Sequence, residues 1–283
     1  MKTPKRLQPL VDEGLVDTVL RQLMSGKEAT VYVVRCGDEI RCAKVYKEAN
    51  QRSFHQNASY QEGRRVKNSR QARAMEKGTR YGRKMQEEVW QNAEVDALYR
   101  LAAAGVRVPR PYICFEGVLL MDLVTDADGN SAPRLNDVEL DEETALKYHT
   151  QLIHQVVLML CAGIIHGDLS EYNILVDAEG PVIIDLPQAI DAAGNTTAGP
   201  MFERDVANLA TYFSRFAPQL ALSQYGKEIW AIYQTGLLTP ETVLTGHVEP
   251  DKRPADVGAV MREIELARRE EEEEQRRRQQ HEA

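Results

Sequence analysis

The stretch between residues 166 and 188 places the strongest constraint on the fold of this chain. It reads HGDLSEYNILVDAEGPVIIDLPQ, in which two short apolar runs are separated by turn-forming residues at 178–180. Apolar runs of this length, bounded by turn residues, predict two short β-strands. Asp168 and Asn173 lie in the polar loop before the first strand, and Asp185 follows the apolar part of the second. The sequence therefore predicts three polar side chains at the edges of a small β-structure.

The spacing of these three residues favours phosphoryl transfer. Asp168 is suited to accept a hydrogen bond from an attacking hydroxyl, and Asn173 is suited to hold a divalent ion against a triphosphate. Asp185 is suited to bridge Mg²⁺ to the β- and γ-phosphates. An H-x-D sequence alone is common by chance, and Asn or Asp in loops usually form turns. The prediction therefore rests on the set of three rather than on any one of them.

Residues 30–46 predict two strands joined by a tight turn, because apolar residues alternate on both sides of Gly37. Lys44 lies in the second strand in the sequence CAKV. A lysine that points inward from a strand needs an anion, because an unpaired buried ammonium is costly. An ATP phosphate would serve, with Glu94 on the following helix as the tethering carboxylate. The alternative is a surface lysine on an edge strand.

The segment MSGKEATVY (24–32) opens the first predicted strand and is a candidate phosphate-covering loop. Backbone N–H groups here and the Ser25 hydroxyl are suited to bind phosphate oxygens. The loop contains Gly26 alone, so a G-x-G-x-x-G sequence is absent, and no Walker A sequence occurs in the chain. The predicted nucleotide contacts in this loop are Ser25, Gly26 and Lys27.

Residues 52–84 form a strongly basic segment within an acidic chain. The segment contains ten Lys or Arg and two Glu, a local net charge of +8, whereas the whole chain has −8. Basic clusters give salt-dependent, sequence-independent affinity for nucleic acid. A solvated loop and an RNA-docking segment are both compatible with this composition.

The sequence also predicts further helices and a division of the whole chain into four parts. Apolar residues at helical spacing over 10–23 predict an amphipathic helix. Further helices are predicted over 86–104 and from the N-cap Asp141 to Cys161. The expected domains are a helical extension at 1–23, a β-rich lobe at 24–124, a mainly helical lobe at 125–261 and a charged tail at 262–283.

Composition bears on cofactors and location. The four cysteines include no C-x-x-C pair, which argues against a zinc site and favours reduced thiols. The N-terminus has no apolar signal segment. The longest apolar stretch, 152–165, is too short to span a bilayer and contains His154. A cytoplasmic protein without membrane association is expected.

Taken together, these segments resemble the RIO family of atypical protein kinases, and its founding subgroup most. The resemblance rests on SGKEATVY (25–32), AKVYK (43–47), HGDLSEYNIL (166–175) and IIDLPQ (183–188). It implies an α+β fold of two kinase-like lobes, with a truncated C-terminal lobe that lacks the usual activation segment. The segment 52–84 would be the flexible insertion typical of the family. The short tails and acidic balance favour a bacterial-type member.

The resemblance also implies how ATP would be held. Lys44 would contact the phosphates and pair with Glu94, and residues around Met121 to Leu123 would hold the adenine.

The same resemblance implies the catalytic roles. Asp168 would be the catalytic Asp, and Asn173 and Asp185 would bind Mg²⁺ or Mn²⁺. The family is also credited with ATP hydrolysis through a phospho-aspartate at the metal-binding Asp, here Asp185, and with ribosome maturation.

Two other functions stay open on sequence grounds. Small-molecule phosphotransferases of the aminoglycoside or choline kinase type also use H-G-D-x-x-x-x-N and I-I-D, and like them this chain has Gly167 after His166. Those enzymes usually carry His-Pro after the Asp, whereas this chain has Ser170-Glu171. The other function is a nucleotide-binding scaffold that docks on RNA or a ribosomal particle through residues 52–84.

Overall fold

A computed structural model describes residues 3–26, 28–47 and 93–248 of the chain. The predictions for Lys27, for the basic segment 52–84 and for the tail 262–283 lie outside these residues.

The N-terminal part is built around a five-stranded antiparallel sheet with the strand order β1-β2-β3-β5-β4. Its strands are β1 (Thr18–Ser25), β2 (Ala29–Cys36), β3 (Glu39–Tyr46), β4 (Pro111–Phe115) and β5 (Val118–Asp122). The hairpin predicted around Gly37 is confirmed, and Gly37 adopts a φ of 60° that suits glycine in a tight turn.

The predicted helix over residues 10–23 is wrong. A short helix α1 (Gln8–Asp12) ends well before β1, which pairs with β2 and closes one edge of the sheet. Over such a short run, the spacing of the apolar residues is compatible with either a helix or a strand. Hydrogen bonding to the edge of β2 makes this segment a strand rather than a helix. The domain boundary expected after residue 23 falls inside β1.

Lys44 lies on the central strand of the sheet. It pairs with Val31 of β2 on one side and Leu119 of β5 on the other. The alternative of a surface lysine on an edge strand is therefore excluded. Because β3 is hydrogen-bonded on both sides, the position of Lys44 is fixed by the sheet itself.

Helix α2 is described over residues 93–103 and brings Glu94 to the sheet. Leu98 and Leu101 are buried on its inner face. The chain leaves the helix at Gly105, whose φ of 79° matches the glycine expected after a helix C-terminus.

The C-terminal part is mainly helical. Helix α3 (Glu142–Cys161) begins after Asp141, whose Oδ1 accepts a hydrogen bond from the Thr144 amide at 2.8 Å, as the N-cap prediction requires. The remaining helices are α4 (Ala198–Phe213) and α5 (Tyr225–Gln234). Short 3₁₀ turns occupy Leu135–Asp137, Glu171–Asn173 and Pro218–Leu222.

Two pairs of short strands flank the helices. The predicted strands of the 166–188 segment are β7 (Ile174–Val176) and β8 (Pro181–Ile183), which pair antiparallel. The other pair is β6 (Ile164–Ile165) with β9 (Ile190–Asp191). Helix α4 begins at Ala198, soon after Asp185, so the segment between them is short, as expected.

Two apolar cores hold these elements. The larger includes Leu101, Leu152, Leu160, Ile183 and Phe213 and connects α2 to the C-terminal helices. The smaller lies around α1 and the sheet and contains Leu7, Leu10, Val16, Val19, Val34 and Leu120. Across the described residues, no helix combines the length and hydrophobicity needed to cross a membrane.

Candidate active site

The centre of the candidate site is the ammonium group of Lys44. Its Nζ lies 2.5 Å from Glu94 Oε1 and 2.9 Å from Asp185 Oδ1. Burial alone would lower the pKa of Lys44, but the two carboxylates raise it well above its ordinary value, so the charge is retained. The structure thus joins three predicted residues that are far apart in the sequence.

Tyr46 fixes the other end of the Glu94 carboxylate, a role that the sequence did not indicate. Its hydroxyl donates to Glu94 Oε2 at 2.8 Å, and Glu94 is 2% exposed. Lys44 and Tyr46 stand two residues apart on β3, so their side chains leave the same face of the sheet. One strand therefore supplies both hydrogen-bond donors to Glu94.

Asp185 lies between the Lys44 ammonium and solvent. It follows β8 with a φ of 64°, a left-handed conformation that a non-glycine residue rarely adopts. Burial raises the pKa of its carboxyl, but Lys44, followed by His166 and Arg134, outweighs this effect and lowers it. Its side chain is 46% exposed, so the ionised carboxylate remains accessible.

The polar loop before β7 brings Asp168 and Asn173 together. Asn173 Nδ2 donates to the Asp168 carbonyl at 2.9 Å, and the Ile184 amide donates to the Asn173 carbonyl at 3.0 Å. The second bond places Asn173 beside the residue that precedes Asp185. Burial raises the pKa of the Asp168 carboxyl, partly offset by His166 and Arg204. Three predicted site residues therefore lie along one edge of the β7–β8 pair.

Helix α4 forms hydrogen bonds to the backbone of this loop through residues that sequence analysis did not single out. The Gly167 amide donates to the buried Asp205 Oδ2 at 2.7 Å, and Arg204 donates to the Gly167 carbonyl. Asn208 Nδ2 donates to the Leu169 carbonyl at 3.1 Å. The backbone on both sides of Asp168 is thus attached to one helix.

Comparison with known proteins places the chain in a family. The RIO domain matches residues 30–225 of the 283-residue chain. The chain belongs to the RIO domain family.

Several RIO kinases are similar to the chain over much of its length. The RIO-type serine/threonine-protein kinase Rio1 of Haloferax volcanii is 33% identical over 211 residues, which cover 73% of this chain and 67% of that protein. The serine/threonine-protein kinase rio1 of Schizosaccharomyces pombe is 29% identical over 81% of this chain and 45% of its own length. Human serine/threonine-protein kinase RIO1 is 30% identical over 76% of this chain and 36% of its own.

The predicted family and the predicted α+β kinase-like fold are therefore confirmed. The named activity of these relatives, serine/threonine protein phosphorylation, agrees with the predicted enzyme class. The chain spans about two thirds of the archaeal relative but less than half of the yeast and human proteins.

Hydrogen bonds connect the described residues at the ends of β1 and β2. The Gly26 amide donates to the Ala29 carbonyl at 2.9 Å. Lys47 Nζ lies 2.5 Å from the Gly26 carbonyl and 3.3 Å from the Ser25 hydroxyl. Lys47 is a further residue that the sequence prediction missed, although AKVYK contains it. It attaches the predicted phosphate-covering loop to the end of β3.

The two residues predicted to hold adenine differ in their surroundings. Met121 is half-buried on β5 opposite Cys42 and packs against the larger core. Leu123 follows β5 and lines a cavity of about 370 Å³ whose walls include Arg107, Asp122 and Asp177. Lys44 and Asp185 do not line this cavity, so the contact between Leu123 and adenine stays a prediction.

The polar side chains of the site fit a divalent ion of the Mg²⁺ type. The Asp185 carboxylate is accessible, and Asn173 donates through its nitrogen, which leaves its carbonyl oxygen as a ligand. Oxygen ligands are those that Mg²⁺ and Mn²⁺ prefer. Within the described parts of the chain, no group of three or more His, Cys, Asp or Glu side chains converges. Phosphate oxygens and water would complete the coordination, as is usual for nucleotide-bound Mg²⁺.

Proposed function

We propose that this chain is an ATP-dependent serine/threonine protein kinase of the RIO type that uses Mg²⁺ or Mn²⁺. The observation that carries the proposal is the position of Lys44 Nζ between Glu94 and Asp185, at 2.5 and 2.9 Å. A buried cation held by one buried and one accessible carboxylate is the arrangement that positions a triphosphate.

Each predicted residue has a distinct role in this proposal. Lys44 donates to phosphate oxygens of ATP, and Glu94 and Tyr46 hold its ammonium group in place. Asn173 and Asp185 hold the divalent ion, which neutralises charge on the β- and γ-phosphates. Ser25, Gly26 and Lys27 would cover the phosphates, and Met121 and Leu123 would contact the adenine.

Asp168 acts on the acceptor hydroxyl. Its carboxylate is exposed while its backbone is fixed to α4, so it can orient a hydroxyl group that enters from solvent. The hydroxyl oxygen attacks the γ-phosphorus, the bond to the β–γ bridging oxygen breaks, and ADP leaves. The hydroxyl proton passes to Asp168 or to the transferred phosphate.

The finer parts of the function are also proposals. We infer a cytoplasmic enzyme, and we retain RNA or a ribosomal particle as a partner for the basic segment 52–84. The names of the relatives support a protein acceptor over a small molecule.

Label transfer from γ-labelled ATP tests the proposal. The purified chain is incubated with Mn²⁺ and casein as a general protein acceptor. The expected products are phosphoserine or phosphothreonine, on casein or on the chain itself. Hydroxylamine-labile label on the chain with release of free phosphate would instead indicate ATP hydrolysis through a phospho-aspartate.

Two variants make the test specific. Asp168→Asn should lower transfer at least about a hundredfold, the usual contribution of a positioned acid–base group. Asp38→Asn, which changes an exposed acid in the β2–β3 turn, should transfer at the wild-type rate. Equal rates for wild type and Asp168→Asn would remove Asp168 from the mechanism, and no label transfer by the wild type would contradict the proposed activity.

A further inference from the structure

The segment that connects the two parts of the molecule carries an arginine close to the candidate site. Arg134 forms a β-bridge with Leu175 of β7, and the Val176 amide donates to the Pro133 carbonyl at 2.9 Å. Leu175 stands two residues after Asn173, one of the predicted metal ligands. The backbone of Arg134 is therefore fixed to the strand that carries part of the site.

The side chain of Arg134 extends towards the sheet. Its Nη2 lies 3.1 Å from the Sδ atom of Met24, the residue that precedes Ser25 and Gly26. Arg134 therefore links β7, through its backbone, to the phosphate-covering loop, through its side chain. These two structures would enclose the triphosphate from opposite sides.

The partner of the guanidinium is poorly matched to its charge. A thioether sulfur is a weak hydrogen-bond acceptor, whereas a guanidinium group carries five donors suited to carboxylate or phosphate oxygens. Arg134 is half-buried, and among residues 3–26, 28–47 and 93–248 no carboxylate forms an ion pair with it. A partly buried cation without an anionic partner is suited to bind one from outside.

We propose that Arg134 is a phosphate-binding residue of the ATP site, whose guanidinium group donates to non-bridging oxygens of the triphosphate. This inference rests on the proposed function. Arg134 approaches the phosphates from the connecting segment, on the side of the loop Ser25–Gly26, whereas Lys44 approaches them from β3.

Arg21 provides a matched control. Its Nη2 lies 2.5 Å from the Ser131 hydroxyl, so it also joins β1 to the connecting segment. Arg21 already has an oxygen partner in the Ser131 hydroxyl. Replacing it removes a link of the same kind without removing a predicted phosphate contact.

Calorimetric titration with ATP, ADP and adenosine, each with Mg²⁺, tests the inference on the full chain. Arg134→Gln should weaken ATP binding about tenfold, the loss expected for one charge-assisted hydrogen bond. Its affinity for adenosine should stay within about twofold of wild type, because adenosine has no phosphate. Arg134→Lys should recover part of the ATP affinity, and Arg21→Gln should bind all three ligands like wild type.

Three results would overturn the inference, and a fourth separates it from the proposed function. Unchanged ATP affinity in Arg134→Gln would show that Arg134 does not contact phosphate. Equal losses for ATP and adenosine, or the same loss in Arg21→Gln, would show that Arg134 acts only as a link between β1 and the connecting segment. Failure of the wild-type chain to bind ATP at all would contradict the proposed function itself.

Discussion

The Tyr46 hydroxyl donates to Glu94 Oε2 at 2.8 Å, while Glu94 Oε1 receives the Lys44 ammonium at 2.5 Å. Both oxygens of a carboxylate that is 2% exposed are therefore satisfied by a single strand. The orientation of Lys44 depends on this arrangement, because a buried carboxylate with one oxygen left unpaired would be costly.

Tyr46→Phe should lower the free energy of unfolding by about 1–3 kcal/mol, since it leaves a buried carboxylate oxygen without a donor. Urea denaturation measures this loss. Tyr112→Phe is the matched control, because Tyr112 makes a similar bond to Asp122 in a more exposed position on β4. Equal losses in the two variants would mean that burial of Glu94 does not determine the cost.

Asp205→Ala should reduce phosphate transfer without abolishing ATP binding. The Asp205 carboxylate accepts the Gly167 amide, so its loss frees the backbone next to Asp168 but leaves Lys44 and Asp185 in place. A rate loss of at least about tenfold is expected from misplacement of the catalytic carboxylate. Label transfer and ATP titration are measured on the same preparation. A parallel loss of label transfer and ATP binding would indicate general unfolding rather than displacement of the Asp168 carboxylate.

The burial of His149 should make the folded chain less stable in mild acid than at neutral pH. It is 2% exposed on α3, and its Nε2 lacks a hydrogen-bond partner among the described residues, where Phe213 and Tyr225 contact its ring. Burial lowers its pKa from 6.5 to about 4. The unfolded chain therefore binds a proton between these pH values while the folded chain does not. The contribution of His149 to the free energy of unfolding is fully present above pH 6.5 and should decrease by about 3 kcal/mol towards pH 4.

Urea denaturation at pH 7.5 and pH 5 tests this prediction. His149→Leu should reduce the stability difference between the two pH values, whatever its effect at pH 7.5. His154→Leu, which changes an exposed histidine of the same helix, should keep the wild-type difference. An unchanged pH dependence in His149→Leu would assign the acid sensitivity to other groups.

Gly199→Ala should destabilise the packing of α4 against α5. A Cβ atom at residue 199 would lie 2.8 Å from Trp230 Nε1, closer than side-chain contacts allow. The indole would have to move, at a cost of about 1–3 kcal/mol for overpacking. Thermal denaturation checks the loss, and Trp230 fluorescence should change in parallel. A wild-type melting temperature would show that this interface adapts freely.

Local sequence patterns predicted much of the fold and the centre of the site. Helix α3 begins after Asp141 and ends at Cys161 as expected, and the β7–β8 pair follows from two apolar runs and a turn. Lys44 and Asp185 were identified because their residue types suit a triphosphate, and the structure places them in contact.

The errors and omissions share a physical cause. The strand β1 was predicted as helix because its conformation depends on pairing with β2 rather than on its own short pattern. Tyr46, Asp205 and Arg134 were missed because each acts through a contact with a residue distant in the sequence. Nothing in the local sequence distinguishes them from ordinary core or surface residues.

A crystal structure of the chain with Mg²⁺ and a non-hydrolysable ATP analogue tests the central claim most directly. We predict that Lys44 contacts the phosphates, that Asn173 and Asp185 coordinate the ion, and that Asp168 faces the γ-phosphate. A nucleotide bound elsewhere, or these four side chains directed to separate places, would contradict it.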